Sequence, residues 1–161
     1  MWNERFDTPD YVFGTEPADF LVTHADQLRA GAKGLAVADG EGRNSVFMAQ
    51  QGVETLAMDM SANALKKAKA LAEARGVAVT HVEASITEWD WAPGAYDLVV
   101  AVFIQFLSPH ERAAVFAGMV ETLKPGGVLV TQNGVPALQG GELQSSYRHF
   151  RKLFGDASAY L

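Results

Sequence analysis

The feature that most restricts the fold of this chain is a short apolar run that breaks into glycine. Leu35-Ala36-Val37-Ala38 reads as a buried strand, and Asp39-Gly40-Glu41-Gly42 follows it directly. A helix-period segment runs from Arg43 to Gln51 and closes at Gly52. A second apolar run, Glu54 to Met58, then ends in Asp59. Strand, glycine turn, helix and strand in that order predict an α/β sheet with parallel strands. In open sheets of this kind, ligands bind outside the carboxyl ends of the strands, where the strand order reverses. Gly40 and Gly42 let the backbone approach a ligand where a side chain would collide. Asp59 can accept two hydrogen bonds from the hydroxyls of a ribose. Together these point to a nucleoside ligand.

The rest of the chain repeats the alternation. Thr15-Glu16-Pro17 reads as a helix start, with Phe20, Leu21, Ala25 and Leu28 on one face. Ser61 can cap a helix that buries Leu65, Ala68, Leu71 and Ala72 and turns Lys66, Lys67 and Lys69 to solvent. Val77 to Ala84 reads as a third strand, and Tyr96 to Ile104, strongly apolar, as a central fourth. Ser108-Pro109-His110-Glu111 is a capping box with Pro at the first helical position. Lys124-Pro125-Gly126-Gly127 stops that helix, and Val128 to Gln132 forms a fifth strand. Trp89 and Trp91 are expected against the sheet edge, whereas Phe103 and Phe106, after the central strand, are expected at a pocket. The 161 residues fit one domain: residues 1–30 as a cover and helix, 34–132 as the nucleotide-binding core and 133–161 as a C-terminal segment.

Composition narrows the function. A net charge of −6 argues against a nucleic-acid partner, because phosphate neutralisation needs a basic face. With no cysteine in the sequence, disulfides, thiolate metal sites and a cysteine nucleophile are excluded. Met1 to Asp7 has no apolar stretch behind a basic head, so a secretory signal is not expected there, and no apolar run approaches membrane-spanning length. A cytoplasmic protein is the expectation. The four histidines are scattered and read as surface or internally satisfied groups, and no metal site is expected.

The nucleotide can be narrowed as well. A dinucleotide fingerprint wants G-x-G-x-x-G, of which Ala38, Gly40, Gly42 and Ser45 supply only the middle, and no G-K-[ST] follows for a phosphate loop. The run Val37 to Asn44, then Met58-Asp59-Met60-Ser61 and the Ala64-Leu65-Lys66-Lys67-Ala68 helix, resembles the class I methyltransferases that depend on S-adenosyl-L-methionine (SAM). Tyr11 to Pro17 and Gly40-Glu41-Gly42-Arg43-Asn44 resemble the small bacterial tellurite-resistance and thiopurine-methyltransferase-like group. Tyr96-Asp97-Leu98-Val99 and Leu123 to Gly127 match that group's later landmarks, so the resemblance covers roughly residues 1–132.

The resemblance implies a Rossmann-like three-layer sandwich and a SAM site. Asp39, Gly40 and Gly42 would line the methionine part, Asp59 would hold the ribose and Met60 would flank the adenine. Ala84, Ser85 and Ile86 would meet the adenine edge. Val102 and Phe103 would border the sulfonium and the methyl acceptor. Gln105, by its position just after the fourth strand, is a candidate either to orient that acceptor or to cap backbone groups. Tyr11 and Phe13 would belong to a flexible cover. The implied activity is methyl transfer to a small acceptor such as a thiol, a metalloid oxyanion or another soft nucleophile.

Several positions depart from the group's pattern. Ala38 stands where a first glycine is frequent, which is accommodated only if the turn avoids a positive φ there. Ala36 replaces a frequent acid, so Asp39 is expected to meet the SAM amino group instead. Ser85 replaces an acid at the adenine edge. The group's sheet has seven strands, the last two an antiparallel pair, and no such pair of runs follows Gln132. The sheet is therefore expected to be shortened after the fifth strand. Its open edge would be covered by the Leu143–Phe154 segment or by a second copy in a homodimer. Two alternatives stand beside methyl transfer: a regulatory or vestigial SAM-binding protein without catalysis, and an NAD-dependent dehydrogenase.

Overall fold

A computed structural model describes residues 1–104, 106–132 and the backbone of 158–160. The elements run α1 (Trp2–Arg5), α2 (Asp19–Thr23), β1 (Lys33–Val37), α3 (Arg43–Gln50), β2 (Glu54–Asp59), α4 (Ala62–Ala74), β3 (Thr80–Glu83), β4 (Tyr96–Val102), α5 (Pro109–Glu121), β5 (Leu123–Gln132) and β6 (Ser158–Tyr160). The strands form one sheet in the order β3-β2-β1-β4-β5-β6, and every pairing is parallel. The order reverses between β1 and β4, so a crevice is expected beyond their carboxyl ends.

Period-two alternation sends side chains to both faces of this sheet. Leu35, Val37, Val99, Ala101 and Leu129 meet Val115 and Met119 of α5 on one face. Ala36, Ala57, Leu98, Val100 and Val130 meet Met48 of α3 together with Leu21 and Leu28 on the other. The result is three layers, with β1 and β4 buried on both sides. That burial is why Leu35–Val37 and Leu98–Val102 are unbroken apolar runs.

The helix starts follow their caps. Ser61 Oγ accepts the Ala64 N–H at 3.1 Å. Ser108 Oγ accepts the Glu111 N–H at 3.3 Å while the Glu111 carboxylate accepts the Ser108 N–H at 2.9 Å. Both ends satisfy amides that have no partner inside a helix.

Five expectations change. Thr15-Glu16-Pro17 does not start a helix: Ala18 is the N-cap of α2, and a 3₁₀ turn at Ala25–Gln27 follows. The third strand is shorter than 77–84 because Val77 and Val79 turn away to pack on Val46, Leu71 and Ala72. Lys124-Pro125-Gly126-Gly127 belongs to β5, with the register against β4 shifting between Tyr96 and Leu98. The edge of β5 is not open over Val128–Val130, because β6 pairs with it there. The Leu143–Phe154 segment lies outside the described residues. Trp91 packs where a Cβ on Gly118 of α5 would sit 2.4 Å away, and with Trp89 it lies against the core beneath α5 rather than at the sheet edge.

Candidate functional site

The first βα turn wraps over the end of β2. Asp39 N–H donates to the Met58 carbonyl at 3.1 Å, Ala38 N–H meets Met58 Sδ at 3.3 Å, and Gly40 N–H donates to Asp59 Oδ2 at 2.8 Å. Making these contacts forces three left-handed residues: Ala38 at φ +49°, Gly40 at +64° and Gly42 at +91°. Glycine adopts this region freely; an alanine there costs about 1–2 kcal/mol. The expectation that the turn avoids a positive φ at Ala38 is therefore corrected, and the turn holds strain at that residue.

Gly42 has a packing role as well. It is the N-cap of α3, and a Cβ there would lie 2.7 Å from Ala68 Cβ and 2.8 Å from Ala68 Cα of α4. Its missing side chain lets the two helices close on each other. At Gly40 a Cβ would meet only Phe6 Cζ, at 3.7 Å.

Two carboxylates end in this region. Asp59 Oδ2 accepts from Gly40 and Oδ1 accepts the Ser61 N–H, also at 2.8 Å. Burial raises its pKa, and these backbone donors pull it partly back. Each oxygen keeps a further lone pair for a ligand. The Asp39 carboxylate accepts from both the N–H and the hydroxyl of Ser45, capping the start of α3. Burial pushes Asp39 up to about 6, opposed by the Ser45 bonds; the nearby Asp59 charge adds to the rise and Arg43 opposes it.

The N-terminal residues are fastened over these groups at three points. Asn3 Oδ1 accepts from Ser61 Oγ at 2.9 Å and from Asn63 N–H at 3.0 Å, which docks α1 on the start of α4. Asn44 Oδ1 accepts the Ala18 N–H at 2.9 Å. Between them the Glu41 carboxylate, 4% exposed, accepts the amides of Val12 at 2.9 Å and Phe13 at 3.3 Å and pairs with Lys67 Nζ at 2.7 Å. Lys67 also donates to the Asp10 carbonyl at 2.7 Å, and Tyr11 donates to the Lys67 carbonyl at 3.0 Å. Lys67 is thus a mooring post rather than a member of a solvated face. Tyr11 anchors the cover on α4 instead of facing what lies below.

Beneath this roof is a cavity of about 560 Å³, within the usual range for a small-molecule site. Its floor is the turn and strand ends, with Asp39, Gly40, Asp59, Met60, Ala84 and Ile86 lining it. Val102 and Phe103 line it at the end of β4, and Phe13 in the roof. Gly42, Tyr11 and Ser85 are not among the lining residues; the Ser85 hydroxyl instead pairs with Thr87 at 2.9 Å. Gln105 lies outside the described residues.

A methyltransferase domain model matches residues 35–127, more than half of the chain. The chain belongs to the methyltransferase domain family. This methyltransferase domain is 34% identical over 110 residues to a ubiquinone biosynthesis O-methyltransferase of Erwinia tasmaniensis, covering 68% of this chain and 44% of that protein. It spans about half the length of the curated relatives it matches. Among solved structures it superimposes on a TehB-like SAM-dependent methyltransferase of Corynebacterium glutamicum with a TM-score of 0.67 at 21% identity, covering 84% of this chain and 74% of that one. A SAM-dependent methyltransferase of Thiobacillus denitrificans, in complex with S-adenosyl-L-homocysteine, gives 0.66 at 20% identity, over 92% and 68% of the two chains.

The methyltransferase domain also brings into the cavity residues that sequence reasoning missed: Trp2 and Arg5 from α1, Phe6 just after it, Glu41 from the turn, and Arg43 and Asn44 from the start of α3. The spacing of Trp2, Arg5 and Phe6 places them on one helical face, the one available signal. Nothing local marks Glu41, whose partners are 26 to 29 residues away. Among the described residues no group of His, Asp or Glu could hold a metal, and no helix is long and apolar enough to cross a membrane.

Proposed function

We propose that this domain binds SAM in the roofed cavity and transfers its methyl group to a small-molecule acceptor. The observation that carries the reading is the Asp59 carboxylate. It is held at the cavity by two backbone N–H groups beside a left-handed turn, and its lone pairs face the space a ribose diol needs.

The lining residues suit the rest of such a ligand. Met60, Ala84 and Ile86 offer apolar surface for an adenine ring. Asp39, ionised above a pH of about 6, offers negative charge for an amino group, and Ser45 fixes its orientation. Val102 and Phe103 border the end where an acceptor would enter. When bound, SAM supplies an activated methyl group, leaving the protein to align an acceptor and exclude water. The three-point docking of residues 1–18 serves that exclusion.

A soft acceptor, either a thiol or a metalloid oxyanion, is the class that the resemblance of the N-terminal and turn motifs favours. The reading places the reaction in the cytoplasm. The test is turnover: labelled SAM is incubated with the protein and a panel of thiols, selenite and tellurite, and S-adenosyl-L-homocysteine is measured. Its appearance with one acceptor supports the reading. Intact SAM affinity with no product from any acceptor favours a binding module, and NAD affinity without SAM affinity overturns the cofactor assignment.

A further inference from the structure

The cavity holds two cations and several rings to which the cofactor reading above gives no role. Arg5 in the roof lies with its guanidinium carbon 5.3 Å from the ring centres of both Trp2 and Phe13. Arg43, at the start of α3, lies 6.0 Å from the Phe103 ring. Among the described residues neither arginine has a salt bridge or a side-chain hydrogen bond. The acids lining the same cavity, by contrast, are engaged: Glu41 by Lys67 and two amides, Asp59 by Gly40 and Ser61, Asp39 by Ser45. A guanidinium stacked on aromatic faces keeps its N–H edge free and planar, the geometry that matches a carboxylate through paired hydrogen bonds.

The rings are displayed rather than buried. Phe13, Phe103 and Phe106 are 48%, 37% and 45% exposed, and all three line the cavity. Trp2 packs edge-on against Phe106, with ring centres 5.7 Å apart, tying the roof to the segment after β4. Phe103 holds a φ of +61°, and its N–H donates to the Gln132 carbonyl at 2.6 Å. A bulky residue kept in a left-handed conformation is strained, and strain of this sort collects where a side chain must be aimed. Large apolar groups displayed together around a pocket mark what the pocket takes in.

We propose that the acceptor is a planar, apolar molecule bearing a carboxylate or comparable oxyanion, with Arg5 and Arg43 holding the anion and the Phe13, Phe103 and Phe106 rings holding the body. The assignment rests on the methyl-transfer reading and narrows it. A bare metalloid oxyanion would engage the guanidiniums but leave the rings uncovered, and a small neutral thiol would leave the guanidiniums unpaired.

The test is calorimetric titration of the protein, saturated with S-adenosyl-L-homocysteine, using 2-naphthoate and its neutral counterpart 2-naphthylmethanol. Naphthoate is expected to bind about 10-fold or more tighter, the worth of hydrogen bonds to a charged group. In an Arg5→Gln/Arg43→Gln double variant with an unchanged melting curve, that preference should vanish while the alcohol's affinity holds. Equal affinity of the two compounds in the parent, no heat from naphthoate, or a preference that survives the double variant overturns the proposal.

The cofactor's own carboxylate is separated in a second arm, by comparing S-adenosyl-L-homocysteine with 5′-methylthioadenosine, which lacks the amino-acid part. A double variant that loses affinity only for the former, with the naphthoate preference unchanged, assigns the guanidiniums to the cofactor and overturns the proposal. Should S-adenosyl-L-homocysteine not bind the parent at all, the methyl-transfer reading fails by itself, and the naphthoate comparison on the unloaded protein still decides the anion preference.

Discussion

Replacing Lys67 by methionine removes the cation from a nearly enclosed ion pair. Lys67 Nζ lies 2.7 Å from Glu41 Oε1, and the two side chains are 14% and 2% exposed. An exposed pair is worth about 0–1 kcal/mol. A buried carboxylate stripped of its partner costs about 3–5 kcal/mol, because the remaining charge stays desolvated. The amides of Val12 and Phe13 still reach Glu41 but carry only partial charge.

Lys67→Met is therefore expected to lower unfolding stability by about 3–5 kcal/mol. The Glu41→Gln/Lys67→Met double variant should cost less than the sum of the single changes, since no unpaired charge remains in it. Urea unfolding supplies the stabilities. Amide hydrogen exchange at Val12 and Phe13 reports whether the roof has loosened, and both should exchange faster in Lys67→Met. A Lys67→Met cost below about 1 kcal/mol, or strictly additive costs, would show that the pair is screened like a surface one. The mooring argument would then be refuted.

Three other outcomes follow from the turn. Ala38→Gly should stabilise the protein by up to about 1 kcal/mol in urea unfolding, the strain relieved at φ +49° less the added freedom of the unfolded chain; a clear loss would mean that Ala38 is not strained. Gly42→Val should cost about 3 kcal/mol or more by overlap with Ala68 and by its φ of +91°, and a neutral effect would contradict the packing of α3 on α4. The carboxyl of Asp39 titrates near 6 in the fold against an ordinary 3.8, so the unfolded chain gives up this proton first as pH rises. Stability should accordingly fall by about 3 kcal/mol between about pH 3 and 7 through this group; Asp39→Asn should flatten that part of a stability–pH profile, and parallel profiles would disprove it.

The core was legible because its signals are local. The apolar run Leu98–Val102 reads as a strand covered on both faces, and Ser108-Pro109-His110-Glu111 carries its cap within four residues. The acid ending β2 was legible for the same reason, since Asp59 closes an apolar run at the correct edge of the sheet.

What escaped depends on contacts between distant residues. Lys67 sits among lysines on a helix and looks solvated until Glu41 is brought beside it from 26 positions away. The packing role of Gly42 is hidden until Ala68 appears against it. Ala38 was expected to avoid the left-handed region on intrinsic preference, but hydrogen bonds of its neighbours to Met58 and Asp59 set the turn and override that preference. Four residues of helix at Trp2–Arg5 leave only a single i, i+3 spacing as a signal, so Trp2, Arg5 and Phe6 entered the roof from the structure.

The central claim is that the Asp59 carboxylate grips the ribose of a SAM-type ligand. Its direct measurement is calorimetric titration of S-adenosyl-L-homocysteine into the parent and into Asp59→Ala, with melting curves to show that both are folded. The parent should bind, and the variant should bind about 10- to 150-fold more weakly, the equivalent of about 1.5–3 kcal/mol for hydrogen bonds to a charged acceptor. Equal affinity in a folded variant would place the ribose elsewhere and contradict the account.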